Sequence, residues 1–196
     1  PGQNTAAFAS MQPTADRMFN HPVNDKLIYN TYRPPFAGYK PKRRSQEFVS
    51  LYIEFIKWLF ANNTEYMMNW VAHLVQKPHV KIATAPVLIS SAHGVGKNVF
   101  IDNVARMIGM NYFSNTSMAA VSDNHFVMSD LLLVQVNELA AHHSQQRSVA
   151  DTFMEKLKDL ITEPSTTVNP KFRAQRSVPV YTNFILCTNN QGALRL

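Results

Sequence analysis

The run PVLISSAHGVGKNVF, Pro86 to Phe100, constrains this chain more than any other stretch. An apolar strand ends in a Gly-rich turn, a lysine follows, and an amphipathic helix begins. That order belongs to a phosphate-binding loop within an α/β fold. Gly94 and Gly96 permit a tight turn whose backbone N–H groups point inward. Together with the positive end of the following helix, those groups would cradle a phosphate. Lys97 would reach the β- and γ-phosphates as a point charge. Ser91, His93, Gly94, Val95, Gly96, Lys97, Asn98 and Val99 are therefore expected to line the nucleotide. Two positions depart from the usual loop. Ser91 stands where the first glycine is usual, and Asn98 where a magnesium-binding Ser or Thr is usual. An Asn carbonyl is a weaker ligand for a hard cation than a hydroxyl, and could bind magnesium directly or through water. The bland alternative is a Gly-rich strand-to-helix turn.

Two later strands end in polar residues. Leu131 to Val136 is an apolar run, as expected of a strand buried on both faces, and it ends in Asn137 and Glu138. A carboxylate at Glu138 could orient a water for in-line attack on a γ-phosphate. Asn137 stands where many such sites use Asp in the magnesium shell. The candidate metal set is therefore Asn98, Asn137 and Glu138. A Glu that merely caps the next segment is the alternative. Asn183 to Thr188 forms the last strand and ends in Asn189 and Asn190. Asn189, ahead of Thr188, could donate a hydrogen bond to the γ-phosphate and position the water. Lys97, Glu138 and Asn189 are the candidate catalytic residues, with ATP and Mg2+ as cofactors.

The formal charge of +6 favours polyanionic partners, nucleic acid first. Lys171, Phe172, Arg173 and Arg176 cluster in NPKFRAQR, at the tip of an expected hairpin from Thr166 to Val180. A basic loop carrying an aromatic residue could track phosphates and touch a base or sugar. A solvated hairpin is the alternative, as is a solvated turn for the Lys40–Arg44 run. The single cysteine, Cys187, reads as core packing and excludes internal disulfides and a Cys-rich zinc site. His142 and His143 read as surface residues. No stretch approaches the ~20 apolar residues that cross a bilayer. The start lacks the pattern of a signal peptide, so no membrane partner and a cytoplasmic location are expected. The chain opens on Pro1 and stops at Leu196, and reads as a piece of something larger.

Three regions are expected. Residues 1–44 are irregular, with Tyr29, Tyr32, Phe36 and Tyr39 as anchors onto a folded body. Residues 45–80 form a helical subdomain. Its first helix runs from Gln46 to Phe60 with a wide apolar face, and its second from about Thr64 to Gln76, ended by Pro78. Trp70 reads as core. Residues 81–196 form the α/β core, with helices over Asn98–Ile108 (capped near Gly109) and Val149–Ile161. Tyr112 and Phe113 suggest a short strand, and Phe126–Met128 are ambiguous.

The ensemble SSAHGVGKNVF, LLLVQVNELA, MEKLKDLITEPSTTVNPKF and VPVYTNFILCTNN resembles superfamily 3 helicases. It is most similar to the branch attached to primases or primase-polymerases of phages, plasmids and large DNA viruses. The resemblance runs over roughly residues 14–196. It implies an AAA+-like P-loop NTPase core and a ring, commonly a hexamer, that moves on single-stranded or forked DNA using ATP. It also implies a primase or polymerase domain in the same polypeptide, and a host cytoplasm as the location. Residues 91–98 match the Walker A loop with Lys97 as its lysine. Glu138 matches the Walker B glutamate, Asn189 the sensor asparagine, and Lys171 the basic residue of the hairpin that enters the ring channel. The family's arginine finger lies after the sensor strand and serves the neighbour's site, so this chain could bind nucleotide yet hydrolyse it poorly. An ATP-dependent DNA helicase module is the leading reading. A non-translocating ATP-binding assembly or switch protein that binds DNA is the alternative. A basic nucleic-acid-binding module with a vestigial loop is the third.

Overall fold

Apolar strands that need cover on both faces organise this molecule. The computed structural model describes residues 8–13, 16–20, 25–36, 46–92, 94–122, 130–137, 144–168 and 176–189. In chain order the elements begin with strands β1 (Phe8–Ser10), β2 (Met18–Asn20) and β3 (Leu27–Asn30). Helices α1 (Gln46–Phe60) and α2 (Thr64–Gln76) follow, then β4 (Val87–Ile89), α3 (Lys97–Ile108), β5 (Phe113–Ser117) and α4 (Met118–Ser122). The chain continues with β6 (Leu133–Asn137), α5 (Ser144–Thr162), β7 (Ser165–Val168), β8 (Arg176–Pro179) and β9 (Asn183–Thr188).

Strands β4, β9, β6 and β5 form one sheet in that order, and every pairing is parallel. Parallel strands require crossovers, and helices on the crossovers cover both faces. Leu88, Leu133, Ile185 and Cys187 face Phe100, Ile101, Val104 and Ile108 of α3, with Met67, Trp70 and Leu74 of α2 in the same cluster. Val134, Val136, Phe184 and Leu186 face Phe153, Leu157 and Leu160 of α5 and Val121 of α4. Alternation along β6 therefore puts Leu133, Gln135 and Asn137 on the α3 face and Val134 and Val136 on the α5 face.

The helical subdomain is more open than its sequence suggests. Buried Ile56 and half-buried Tyr52, Phe55, Leu59 and Phe60 turn α1 towards the core. Phe48, Leu51 and Trp58 stay exposed, at 69%, 56% and 68%. The wide apolar face expected of α1 is covered along one side only. In α2, Met67, Trp70 and Leu74 recur three and four apart and are buried, and the Trp70 indole N–H donates to the Thr84 carbonyl at 3.4 Å.

The N-terminal region departs from the expected irregular chain. Strands β1, β3 and β2 form a small sheet, with β1–β3 parallel and β2–β3 antiparallel. Buried Asn30 accepts from the backbone N–H of Gln12 and of Tyr32, both at 3.0 Å, and donates to the Asp16 carbonyl at 2.7 Å. One amide thus ties the flanking segments to the sheet, beside buried Met11, Ile28 and Tyr32. Of the expected aromatic anchors, Tyr32 is buried and packs against Tyr112 at a centroid distance of 5.2 Å. Tyr29 and Phe36 are exposed, because alternation along β3 turns Tyr29 outward, where it stacks under the Arg33 guanidinium. Tyr39, the Lys40–Arg44 run and Phe126–Met128 lie outside the described residues. Among the described residues, no helix is long and apolar enough to cross a membrane.

Asn183 ties the segment between α2 and β4 to the sheet. Its Oδ1 accepts from the Ile82 N–H at 2.9 Å, and its Nδ2 donates to the Tyr181 and Leu132 carbonyls at 3.0 and 3.3 Å. The residue is 2% exposed, so water does not replace a lost partner. Asn183→Ala is expected to destabilise the fold by about 2–3 kcal/mol, the cost of orphaning a buried donor and acceptor. Urea unfolding monitored by circular dichroism measures it, and a change under 0.5 kcal/mol (roughly the effect of a surface substitution) contradicts it.

Candidate functional site

Because β4, β9 and β6 run the same way, their C-terminal ends share one edge, where open α/β sheets hold ligands. Ile89 pairs with Thr188, and Asn137 with Cys187. The loop from Ser90 to Gly96 leaves the end of β4. Ser90 anchors its start: the Ser90 N–H donates to the Thr188 carbonyl at 3.2 Å, and the Ser90 hydroxyl to the Ala92 carbonyl at 2.6 Å. Gly94 and Gly96 have φ of +76° and +82°, in the left-handed region that glycine enters without strain. Gly96 is the N-cap of α3 and offers no capping side chain, so the first-turn N–H groups point at whatever occupies the loop.

Lys97 is half-buried over the strand ends. Its Nζ donates to the Asn189 Oδ1 at 2.7 Å and to the Thr188 carbonyl at 3.2 Å. Two residues singled out from separate motifs, Lys97 and Asn189, are therefore in direct contact. Ser91, Gly94, Asn98 and Val99 are exposed along the loop and first helical turn, with Val95 half-buried. His93, Glu138, Asn190, His142, His143, Lys171, Phe172 and Arg173 lie outside the described residues. The expected hairpin is present as the antiparallel pair β7–β8, with Val168 opposite Arg176 next to its tip.

A second group of contacts lies beneath the loop. The Gln135 Nε2 donates to the Asn137 Oδ1 at 2.8 Å and the Asn98 Oδ1 at 3.2 Å, and stands 3.9 Å from the Cys187 sulfur. The Asn137 Nδ2 donates to the Asn115 Oδ1 at 2.6 Å. Two of the three expected metal ligands are thus neutral amides whose oxygens already accept from Gln135. A magnesium ion favours carboxylate and hydroxyl oxygens in a strict octahedron. Asn98 and Asn137 offer it neutral oxygens that each share a lone pair with Gln135, a weaker set than the usual hydroxyl and carboxylate. Sequence reasoning missed Gln135 and Asn115. The usable signal was one Gln inside an apolar strand, two residues before Asn137 and so on its face.

The helical subdomain presses on this loop. A Cβ at Gly96 would lie 2.9 Å from the Phe55 ring, and Phe60 packs edge-on to Phe100 with centroids 4.7 Å apart. Beside Lys97, a cleft of about 340 Å3 runs between Trp58, Phe60 and Asn63 on one wall and Val87–Ser90 on the other. Consecutive strand residues on one wall mean that the edge of β4 facing away from β9 lines the cleft.

The fold and site define an α/β protein with a parallel-sheet core, a small helical subdomain and a glycine-bearing strand-to-helix loop. A family model described as "Family of unknown function (DUF5906)" matches residues 88–195, more than half of the chain, and the chain belongs to that family. Among solved structures it resembles the apo structure of the NrS-1 C-terminal region (305–718), with a TM-score of 0.76 at 20% identity, covering 96% of this chain and 44% of that one. An A-form apo structure of the same region gives 0.69 at 20% identity, covering 93% and 42%. A further A-form structure gives 0.67 at 19% identity, with the same coverage. The chain spans less than half the length of these solved chains. At such identities the likeness establishes the fold. No curated protein matches the chain.

Burial pushes the Cys187 thiol up from 9.0 to about 11, against the opposing pulls of Lys97 and Gln135. The folded thiol keeps its proton where the unfolded one loses it. Its contribution to stability is therefore full below pH 9 and is lost as pH rises towards 11. Native Cys187 is expected to react with a thiol reagent at pH 8 roughly a hundredfold more slowly than the unfolded chain, because the reactive thiolate is scarcer and shielded. Equal labelling rates in the presence and absence of urea contradict it. At Gly96, Ala would meet both the positive φ and the Phe55 ring. Gly96→Ala is expected to cost about 1–3 kcal/mol. Adding Phe55→Leu should recover the contact share and leave the backbone share, as measured by paired urea melts.

Proposed function

We propose that this chain is the ATP-binding module of a DNA replication protein: a P-loop NTPase core of the superfamily 3 helicase kind, coupling ATP hydrolysis in a ring to movement on DNA. The observation that carries the reading is the contact of Lys97 with Asn189 at the shared strand edge, beneath a loop turned by Gly94 and Gly96. A lysine, an amide and inward N–H groups around one small volume suit a polyphosphate. On this reading the loop N–H groups and the α3 terminus hold the β-phosphate. Lys97 turns from the Asn189 oxygen to the γ-phosphate and offsets the charge that grows on it. Asn189, released, can turn its amide N–H towards the same phosphate and the attacking water. Glu138, one residue past β6, is the proposed group that orients that water.

Lys171, Phe172, Arg173 and Arg176 of the β7–β8 hairpin are the proposed contacts to single-stranded or forked DNA. Assembly into a ring, most simply a hexamer, would bring a neighbour's arginine to the γ-phosphate and couple hydrolysis to assembly. A primase or polymerase domain in the same polypeptide and a host-cytoplasmic location complete the reading. The amide lining beneath the loop favours a second one, a switch that binds ATP to order an assembly and turns it over slowly.

ATP hydrolysis measured with and without single-stranded DNA, beside Lys97→Ala, separates these. DNA-stimulated turnover that falls by at least about tenfold in the variant is expected, since the lysine acts on transition-state charge. Binding without turnover selects the switch. DNA affinity without any nucleotide binding overturns both.

A further inference from the structure

The amides beneath the loop form a chain whose direction matters. Gln135 sits inside β6 and is 2% exposed. Its Nε2 carries two protons and meets three acceptors: Asn137 Oδ1 at 2.8 Å and Asn98 Oδ1 at 3.2 Å, the two oxygens and the stronger acceptors, and the Cys187 sulfur at 3.9 Å. Both asparagines are therefore turned oxygen-inward. The Asn137 amide nitrogen continues the chain to the Asn115 oxygen at 2.6 Å. The Asn98 amide nitrogen points away from Gln135, on the exposed first turn of α3, one residue from Lys97.

This orientation decides what Asn98 can offer. A cation needs oxygen lone pairs, whereas a phosphate needs N–H donors. With its oxygen turned inward and one lone pair taken by Gln135, Asn98 has its donors turned the other way. Reversing Asn98 alone would set two N–H groups against each other and leave that Gln135 proton only the Cys187 sulfur, a weak acceptor. Reversing it without that cost requires Gln135, Asn137 and Asn115 to reverse together, since each link fixes the next. Lys97, Asn98 and the loop N–H groups then act as one set of donors.

We propose that Gln135 is a positioning residue that holds Asn98 as a phosphate donor, so that nucleotide binding here depends little on a divalent cation. The proposal rests on the nucleotide-site reading and refines it. It makes the two departures from the usual motif, Asn98 and Asn137, parts of one arrangement. In the usual loop a hydroxyl and a carboxylate hold a cation that bridges to the phosphates. Here amide donors meet the phosphates directly, and Gln135 sets their direction from below.

Binding of a fluorescent ATP analogue, measured in magnesium and again in EDTA, tests it. The wild-type affinities should agree within about threefold. Gln135→Glu replaces a donor with a carboxylate that accepts only, so it should draw the Asn98 and Asn137 nitrogens inward and turn their oxygens outward. Its affinity should then fall in EDTA and recover in magnesium, a ratio of about tenfold or more. If a buried charge at position 135 prevents folding, as a thermal melt would show, Gln135→Met, which removes the donor that holds the Asn98 oxygen inward without adding charge, should give the same increased ratio. A wild-type loss of about tenfold or more on chelation overturns the proposal while leaving the nucleotide site intact. A variant ratio equal to wild type overturns the positioning role. No binding in either condition overturns the nucleotide-site reading, and this inference with it.

Discussion

Strands β4, β9 and β6 point the same way, and that one constraint decides which side chains can meet. Parallel strands end at a common edge, so a loop after β4, an amide at the end of β6 and an amide after β9 arrive together despite separations of up to 92 residues. Register is held by the apolar faces. Val134 and Val136 pack towards α5, and Leu133 packs towards α3. A slip of one residue in β6 would move both valines beneath α3 and carry Gln135 and Asn137 to the opposite face. The cost of exposing and mispacking those apolar groups is what holds the amide chain under the loop. The polar site is thus positioned by residues that never touch it.

Much of this was legible where a period and a stop signal coincide. Helices α1 and α2 occupy the spans that the apolar spacing from Phe48 to Phe60 and from Tyr66 to Val75 marks, and β9 occupies Asn183–Thr188. The loop was legible because glycine, lysine and an apolar strand have few other reasons to occur in that order. The N-terminal sheet was not. Its strands are three or four residues long, too short for alternation to show, and it is held by Asn30, whose partners lie as far as 18 residues away. Strand β5, FSNTS, is polar and takes its form from pairing with β6. The Gln135 network was legible only in part. The odd Gln shows in the sequence, but its partners Asn98 and Cys187 stand 37 and 52 residues away and meet it through the fold.

The helical subdomain has a second consequence for the loop. Phe55 closes over Gly96, and Phe60 meets the first turn of α3 at Phe100. Gly96 is therefore required twice, once for its backbone angle and once for the room its missing side chain leaves. A shift of α1 would reach the loop through hard aromatic contact. The exposed Phe48, Leu51 and Trp58 lie on the same helix, so contact along its outer side would be felt at the N-terminus of α3.

Charge gives the site its character. Lys97 leans on neutral groups, an amide oxygen and a backbone carbonyl. An arriving oxyanion outcompetes either, because a full negative charge attracts the ammonium more strongly than a neutral dipole does. A carboxylate in place of Asn137 would hold a cation well, but it would also repel an uncomplexed polyphosphate. Amides remove that repulsion and make a weaker cation site. On the proposed reading, binding and turnover then draw on different groups. Donors suffice to seat a nucleotide, while hydrolysis must also place a water and offset the charge that grows as the bond breaks. On the proposed reading those tasks fall to Glu138, Asn189 and a neighbour's arginine. The same reading makes this a chain that binds ATP and cleaves it only within an assembly.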